Sequence, residues 1–214
     1  MDRGDGYLAV NDMRCRHCNL YRAAGIALAL LALPPQAAVL ADQSKFDPIT
    51  GFRVARYRAP VPDSVPGGER VWVDEVERLI AEKSVILLDV MPSTGPGPDL
   101  KSGAWRMVKP REHIPGSVWL PDVGNGKLDK RMLTYFRDNL ERLTNGDNSR
   151  PILIYCQADC WMSWNAVKRA AGFGYTNLYW YPDGTDGWKE WDGPLVPALP
   201  IPLRPSNTDS VEVR

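Results

Sequence analysis

The chain has 214 residues, enough for one domain plus accessory segments, and its 44% apolar content suffices for a real core. Its 26 basic and 26 acidic side chains balance, which argues against a general polyanion binder or a membrane-surface binder. Nothing in the composition points to low complexity or internal repetition.

The N-terminus reads as an export address. Arg14, Arg16 and Arg22 precede the apolar run Ala23–Leu33, and small residues follow as far as Ala41. A basic stretch, a short apolar stretch and a small-residue cleavage site make a signal peptide over residues 1–41, and hence a periplasmic location. The apolar run is too short to span a bilayer comfortably; an uncleaved anchor is the alternative. Met13 sits directly before the basic stretch and offers a second start, which would make residues 1–12 an over-extended beginning. Cys15 and Cys18, with His17 between them, would leave with the signal and read as incidental. The mature chain then keeps two cysteines, Cys156 and Cys160, and one histidine, His113. A close cysteine pair in an oxidising compartment is a disulfide candidate. It closes so small a loop that it would restrict the unfolded chain little, so chemistry is the better reason for it.

Residues 42–70, rich in Pro, Gly and Asp, read as an extended arm. From Val73 the pattern turns helical, with Val73, Val76, Leu79 and Ile80 on one face. Val85–Val90 is a continuous apolar run broken only by Asp89, as in a strand buried on both faces of a parallel sheet. Residues 91–112 form a long Pro/Gly-rich loop carrying Trp105, Arg106, Lys109 and Arg111, either a cover over a site or a solvated excursion. His113-Ile114-Pro115-Gly116 is a turn and Ser117–Pro121 a strand. Leu128–Leu143 is a helix with Leu133, Phe136, Leu140 and Leu143 as its stripe, followed by the connector Asn145–Asn148. Ile152–Cys156 reads as a buried strand, and the amphipathic helix after it carries Trp164, Val167 and Ala171 and stops at Gly172-Phe173-Gly174. Asn177–Tyr181 is a further strand, Gly184–Trp188 turns into a short terminal helix, and the Pro-rich tail from Pro194 is expected to be loosely held. Strands alternating with helices predict an α/β fold, a parallel sheet with helices on both faces.

In such sheets ligands sit beyond the carboxyl ends of strands, where Cys156 falls. A cysteine ending a buried strand just before a helix faces unpaired backbone N–H groups and the positive end of the helix dipole, a setting that favours the reactive thiolate. The alternative is that Cys156 is a small buried hydrophobe. Asp89 reads as a strand-end residue anchoring a neighbouring loop, and His113 as a structural hydrogen-bonding residue. Trp164 and Trp188 read as core aromatics and Trp161 as an exposed contact.

Leu88-Asp89-Val90 and His113–Pro121 resemble the two N-terminal signatures of rhodanese-like domains. Tyr155-Cys156 with Ala170–Phe173 is similar to that family's active-site strand and helix, and Asn177–Trp188 to its closing strand, Gly turn and Trp. The likeness runs in order over about residues 71–195, leaving 196–214 as a tail. It implies a three-layer rhodanese-like sandwich. It also implies Cys156 as the nucleophile of a sulfurtransferase loop with Gln157, Ala158, Asp159, Cys160, Trp161, Met162 and Ser163. That loop would carry a persulfide cradled by backbone N–H groups, and Asp89 and His113 would support it. The segment Cys156–Trp161 with the Tyr57–Gly68 arm looks more narrowly like an exported subgroup linked with PQQ-dependent alcohol catabolism and labelled by a CxxCW motif, although here three residues separate the cysteines.

Departures from the family shape the expectation. No basic residue lies between Cys156 and Val167, Asp159 adds a negative charge, and Met91 stands where the family often has Arg. The loop rim is therefore expected to be neutral to negative. Three readings remain: a sulfur relay on Cys156 resolved by Cys160, a thiol–disulfide switch of the two, or a non-catalytic binding or maturation module for a periplasmic dehydrogenase or cytochrome. Two thiolates with Met162 and His113 could bind copper, but they make no metal-ligand spacing, so no metal and no resident cofactor is expected. Expected partners are a small sulfur donor or acceptor or a periplasmic redox protein, with no nucleic acid and no membrane after cleavage.

Overall fold

The computed structural model describes residues 43–203; the signal peptide, Cys15, Cys18, the alternative start and the last residues of the tail lie outside them. Thirteen elements follow in order: β1 (Glu69–Arg70), α1 (Val73–Ala81), β2 (Ile86–Asp89), β3 (Gly97–Pro98), β4 (Trp105–Arg106), β5 (Arg111–His113), β6 (Val118–Trp119), α2 (Lys130–Thr144), β7 (Ile152–Tyr155), α3 (Trp161–Gly172), β8 (Leu178–Tyr181), α4 (Gly184–Glu190) and β9 (Val196–Ala198). Five strands form one parallel sheet in the order β1-β8-β7-β2-β6.

The apolar runs of β2 and β7 act as the sequence pattern requires, with successive side chains going to opposite faces. Leu88, Ile152 and Ile154 join Phe136, Leu140, Val167 and Ala170 in the layer under α2 and α3. Leu87, Leu153 and Tyr155 join Val76, Leu79 and Trp188 in the layer under α1 and α4. The fold is thus an α/β sandwich with helices on both faces, as expected. Asp129 caps α2, its Oδ1 accepting the Met132 N–H at 2.8 Å, and Asn145 closes that helix at φ +55°.

Three segments differ from expectation. Helix α3 is not amphipathic: Trp161 through Val167, Arg169 and Ala170 are all buried, because the N-terminal arm covers the face a single-layer helix would leave to water. The Asn165 side chain accepts the Arg53 N–H at 3.0 Å and donates to the Arg53 carbonyl at 2.8 Å. Lys168 donates to the carbonyls of Thr50 and Gly51, and the Trp164 indole N–H to that of Ser64. The tail is not loose as far as it is described. β9 pairs antiparallel with β5, Leu203 is buried, and its N–H donates to the Gly103 carbonyl at 2.8 Å. The long loop 91–112 is not structureless either, since it holds the β3–β4 hairpin and β5.

Candidate functional site

The site lies at the carboxyl end of β7, in the middle of the sheet. Cys156 is the first residue beyond that strand and has no exposed surface. Its carbonyl is held from below by the Thr185 N–H at 3.1 Å and by Thr185 Oγ1 and Arg111 Nη2, each at 3.4 Å. The chain then turns through Gln157 and Ala158, both part-buried, and Asp159, which is exposed and takes φ +53°. It reaches Cys160, the N-cap of α3. Gln157 bridges to Gly184. A Cβ at Gly184 would stand 2.6 Å from the Cys156 carbonyl oxygen, and φ there is +54°, so only glycine lets the start of α4 approach the loop this closely.

The two cysteines are free thiols whose Sγ atoms stand 2.6 Å apart, with the Met91 Sδ 3.5 Å from Cys156 Sγ. Their electrostatics are opposite. Burial pushes the Cys156 thiol well up, and the neighbouring Cys160 and the Asp89 charge push it further. The Cys160 thiol is drawn down, first by the Cys156 S–H pointing at it and then, against burial, by the N–H groups of Met162, Gln157 and Ser163. Of the two thiols, Cys160 is the one whose ionisation is favoured. The helix N-terminus expected directly beside Cys156 stands at Cys160, the N-cap of α3, on the far side of the turn.

Asp89 does anchor a loop. It is fully buried, and its carboxylate accepts the Met91 N–H at 2.9 Å and the Arg111 guanidinium at 2.9 and 3.3 Å. Burial works against its charge and Arg111 holds it. In the sequence Arg111 reads only as part of a loop; in the fold it opens β5. Its spacing from Cys156 carries no signal, and the fold alone brings it under the cysteine loop, where its charge is matched by Asp89. His113 is buried but makes no hydrogen bond through Nδ1 among the described residues, its nearest charged neighbour being Asp89 Oδ2 at 3.9 Å. The turn it opens is pinned instead by the Tyr155 hydroxyl, which accepts the Ile114 N–H at 3.1 Å and lies 2.6 Å from Ser117 Oγ.

Three members of the expected loop face elsewhere. Trp161 is not an exposed contact: it is 7% exposed, edge-on to Phe46 at 5.3 Å and under the Arg53 guanidinium at 4.5 Å. Its indole N–H donates to the Pro60 carbonyl. Met162 packs in the core. Ser163 is buried, donating to the Cys160 carbonyl and accepting the Trp180 indole N–H, each at 3.0 Å. Trp164 and Trp188 are buried as expected. The arm also reaches the cysteine loop itself. Arg58 bridges to Cys160, the Ala59 N–H donates to the Asp159 carbonyl at 2.9 Å, and the Trp161 N–H donates to the Tyr57 carbonyl at 2.8 Å.

A buried strand end, a tight cysteine loop and a helix begun at its far side form the frame, and the sequence of that frame decides its kinship. The rhodanese-like domain family matches over residues 73–190, more than half of the chain. The chain belongs to the rhodanese-like domain family. No curated protein matches the sequence. Among solved structures, the Alr3790 protein from Anabaena sp. is 19% identical, with 58% of this chain against 78% of that one at a TM-score of 0.37. An EanB variant solved with hercynine is 17% identical, with 71% of this chain against 36% of that one at a TM-score of 0.43. The polysulfide-sulfur transferase homodimer from Wolinella succinogenes is 15% identical, with 61% of this chain against 79% of that one at a TM-score of 0.38. The rhodanese-like domain is related to the sulfurtransferases. The arm ahead of residue 73 lies outside the matched span, and Cys156 and Cys160 both lie within it. Among the described residues, no helix is long and apolar enough to cross a membrane, and no cluster of three or more His, Cys, Asp or Glu side chains could hold a metal ion.

Proposed function

We propose that this rhodanese-like protein is exported to the periplasm and transfers sulfur or thiol equivalents through Cys156, as an accessory to PQQ-dependent alcohol oxidation. The observation that carries the chemistry is the Cys156–Cys160 contact of 2.6 Å at the carboxyl end of β7. Export and the link to alcohol oxidation rest on the N-terminal pattern and on the likeness to the CxxCW subgroup.

The division of charge in the pair assigns the roles. Cys160, the more readily ionised of the two, acts in its thiolate form and takes the Cys156 proton as a sulfane donor R–S–SH arrives. Cys156 Sγ attacks the outer sulfur, the donor S–S bond breaks, and R–S⁻ leaves with the proton from Cys160. The persulfide Cys156–S–SH then has two exits. An acceptor thiolate takes its outer sulfur and restores the Cys156 thiolate. Alternatively, the Cys160 thiolate attacks Cys156 Sγ and expels HS⁻, leaving a Cys156–Cys160 disulfide that a periplasmic dithiol reduces. In the thiol–disulfide switch the oxidant is a partner disulfide: the Cys160 thiolate attacks one of its sulfurs, and Cys156 then attacks Cys160 Sγ of the mixed disulfide, releasing the partner as a dithiol. The arm over Cys160 favours the switch as a second reading, because it leaves little room for a bulky donor.

The test is the intact mass of the mature protein taken from the periplasm, before and after mild reductant. The proposal expects a species one sulfur atom heavier that reverts on reduction and is absent in Cys156→Ser. A species two hydrogens lighter, with no sulfur adduct under any donor, leaves the switch alone. Two free thiols under all conditions overturn both.

A further inference from the structure

Beside the cysteine loop, on the α1 and α4 face of the sheet, lies a cleft of about 410 Å³ lined by Val73, Ala158, Tyr181, Asp183, Glu190 and Trp191, with Asp186 and Gly187 completing it. None of its lining residues is basic. Asp186 is already engaged, by the Ala158 N–H at 3.2 Å and by Arg58 at 3.4 Å. Asp183 and Glu190 have no ion-pair partner among the described residues. The Trp191 side chain is 56% exposed.

The base of the cleft holds an unspent polar group. Tyr181 is fully buried, and its hydroxyl has no hydrogen-bond partner among the described residues. Buried hydroxyls are rarely left so, and one beside a cleft asks for a ligand atom. Gly187 keeps the place open: a Cβ there would stand 2.9 Å from the Tyr181 hydroxyl oxygen and 2.5 Å from Asp183 Cβ. Burial and the charges of Asp183 and Glu190 keep that hydroxyl protonated, so it accepts or donates a hydrogen bond as a neutral group. Two unpaired carboxylates, an accessible indole face and a neutral hydroxyl suit an organic cation bearing N–H groups and an apolar stem. An anion would meet the unpaired carboxylates of Asp183 and Glu190.

We propose that this cleft binds the alkylammonium or guanidinium group of a small organic cation, beside the cysteine loop and on the other face of the sheet from the Cys156 thiol. Ala158 joins the two places. It lines the cleft, stands two residues from Cys156, and is tied by its N–H to Asp186 on α4. Asp183 and Glu190 are the charged contacts in this scheme.

The cleft is tested apart from the chemistry, by amide and indole NMR shifts of the Cys156→Ser protein titrated with n-butylguanidinium and with its uncharged isostere n-butylurea. Saturable shifts at Ala158, Gly187 and the Trp191 indole are expected for the guanidinium, with the urea weaker by about tenfold or more. Asp183→Asn combined with Glu190→Gln, on part-exposed and exposed side chains, is expected to remove the difference between the two probes, and Tyr181→Phe to weaken the cation with the spectrum otherwise kept. Equal binding of the two probes, no saturable shift with the cation, or a double variant that binds as the parent does each overturns the proposal. Cation binding without sulfur loading of the native protein would overturn the transfer reading and leave the cleft standing as a binding site.

Discussion

Arg111 and Asp89 form a two-point ion pair under the cysteine loop, with the carboxylate fully buried and the guanidinium side chain 14% exposed. The same guanidinium reaches the Cys156 carbonyl, so one residue of β5 ties β2 to the end of β7. Removing one partner of such a pair strands a buried charge, at a cost of about 3–5 kcal/mol. Arg111→Met is expected to lose stability on that scale in urea titration. Asp89→Asn in the same chain should recover part of it, and a double variant no better than Arg111→Met would mean the pair is not coupled.

The unequal cysteines predict unequal reactivity. Across a pH series, iodoacetamide should label Cys160 first, below the ordinary thiol range, while Cys156 stays protected until much higher pH. In Cys156→Ala the S–H that holds down the Cys160 thiol is removed, and its onset should move up. Peptide mass mapping reads both. Labelling of Cys156 first would reverse the roles given above.

The arm should act as a cover that can be loosened. Asn165 makes three buried hydrogen bonds, two to the Arg53 backbone and one to the Gly124 carbonyl. Asn165→Ala leaves those groups unsatisfied, at about 1–3 kcal/mol for each buried group without a substitute. Disulfide-reagent kinetics at Cys160 should then speed up well beyond the global loss of stability. An unchanged rate would show that the arm does not limit access.

His113 gives a pH signature. Burial, and then the Arg111 charge, lower its pKa, so it is neutral in the fold. The unfolded chain takes up a proton below about pH 6.5 that the native state refuses. Its contribution is therefore present above that pH and is lost as pH falls toward the depressed native value. His113→Gln should flatten the stability curve between about pH 7 and 5; parallel curves for the two proteins would remove His113 from the account.

The sheet was legible because its strands are written in local terms. Ile86–Asp89 and Ile152–Tyr155 are short apolar runs whose two-sided burial needs no knowledge of neighbours. The cysteine pair was legible from spacing. Arg111 was not, because its partners Asp89 and Cys156 stand 22 and 45 positions away along the chain and meet it only through the strand order. Trp161 and the buried outer face of α3 were misjudged for a related reason. A helix pattern shows where apolar groups lie, not that an irregular proline-rich arm will return to cover them. The tail was misread for the same cause, since Pro-rich composition hides the pairing of Val196–Ala198 with β5.

That last pairing has a consequence for how the site comes into being. β5 carries Arg111 and finds its pairing strand in β9, close to the C-terminal end of the described chain. A nascent chain that has delivered β2, β7 and both cysteines still lacks the strand that sets Arg111 in place. The thiols are therefore present before the strand that pairs with β5, and a chain cut short ahead of residue 196 would keep every sulfur while leaving Arg111, which holds the Cys156 carbonyl, on an unpaired strand.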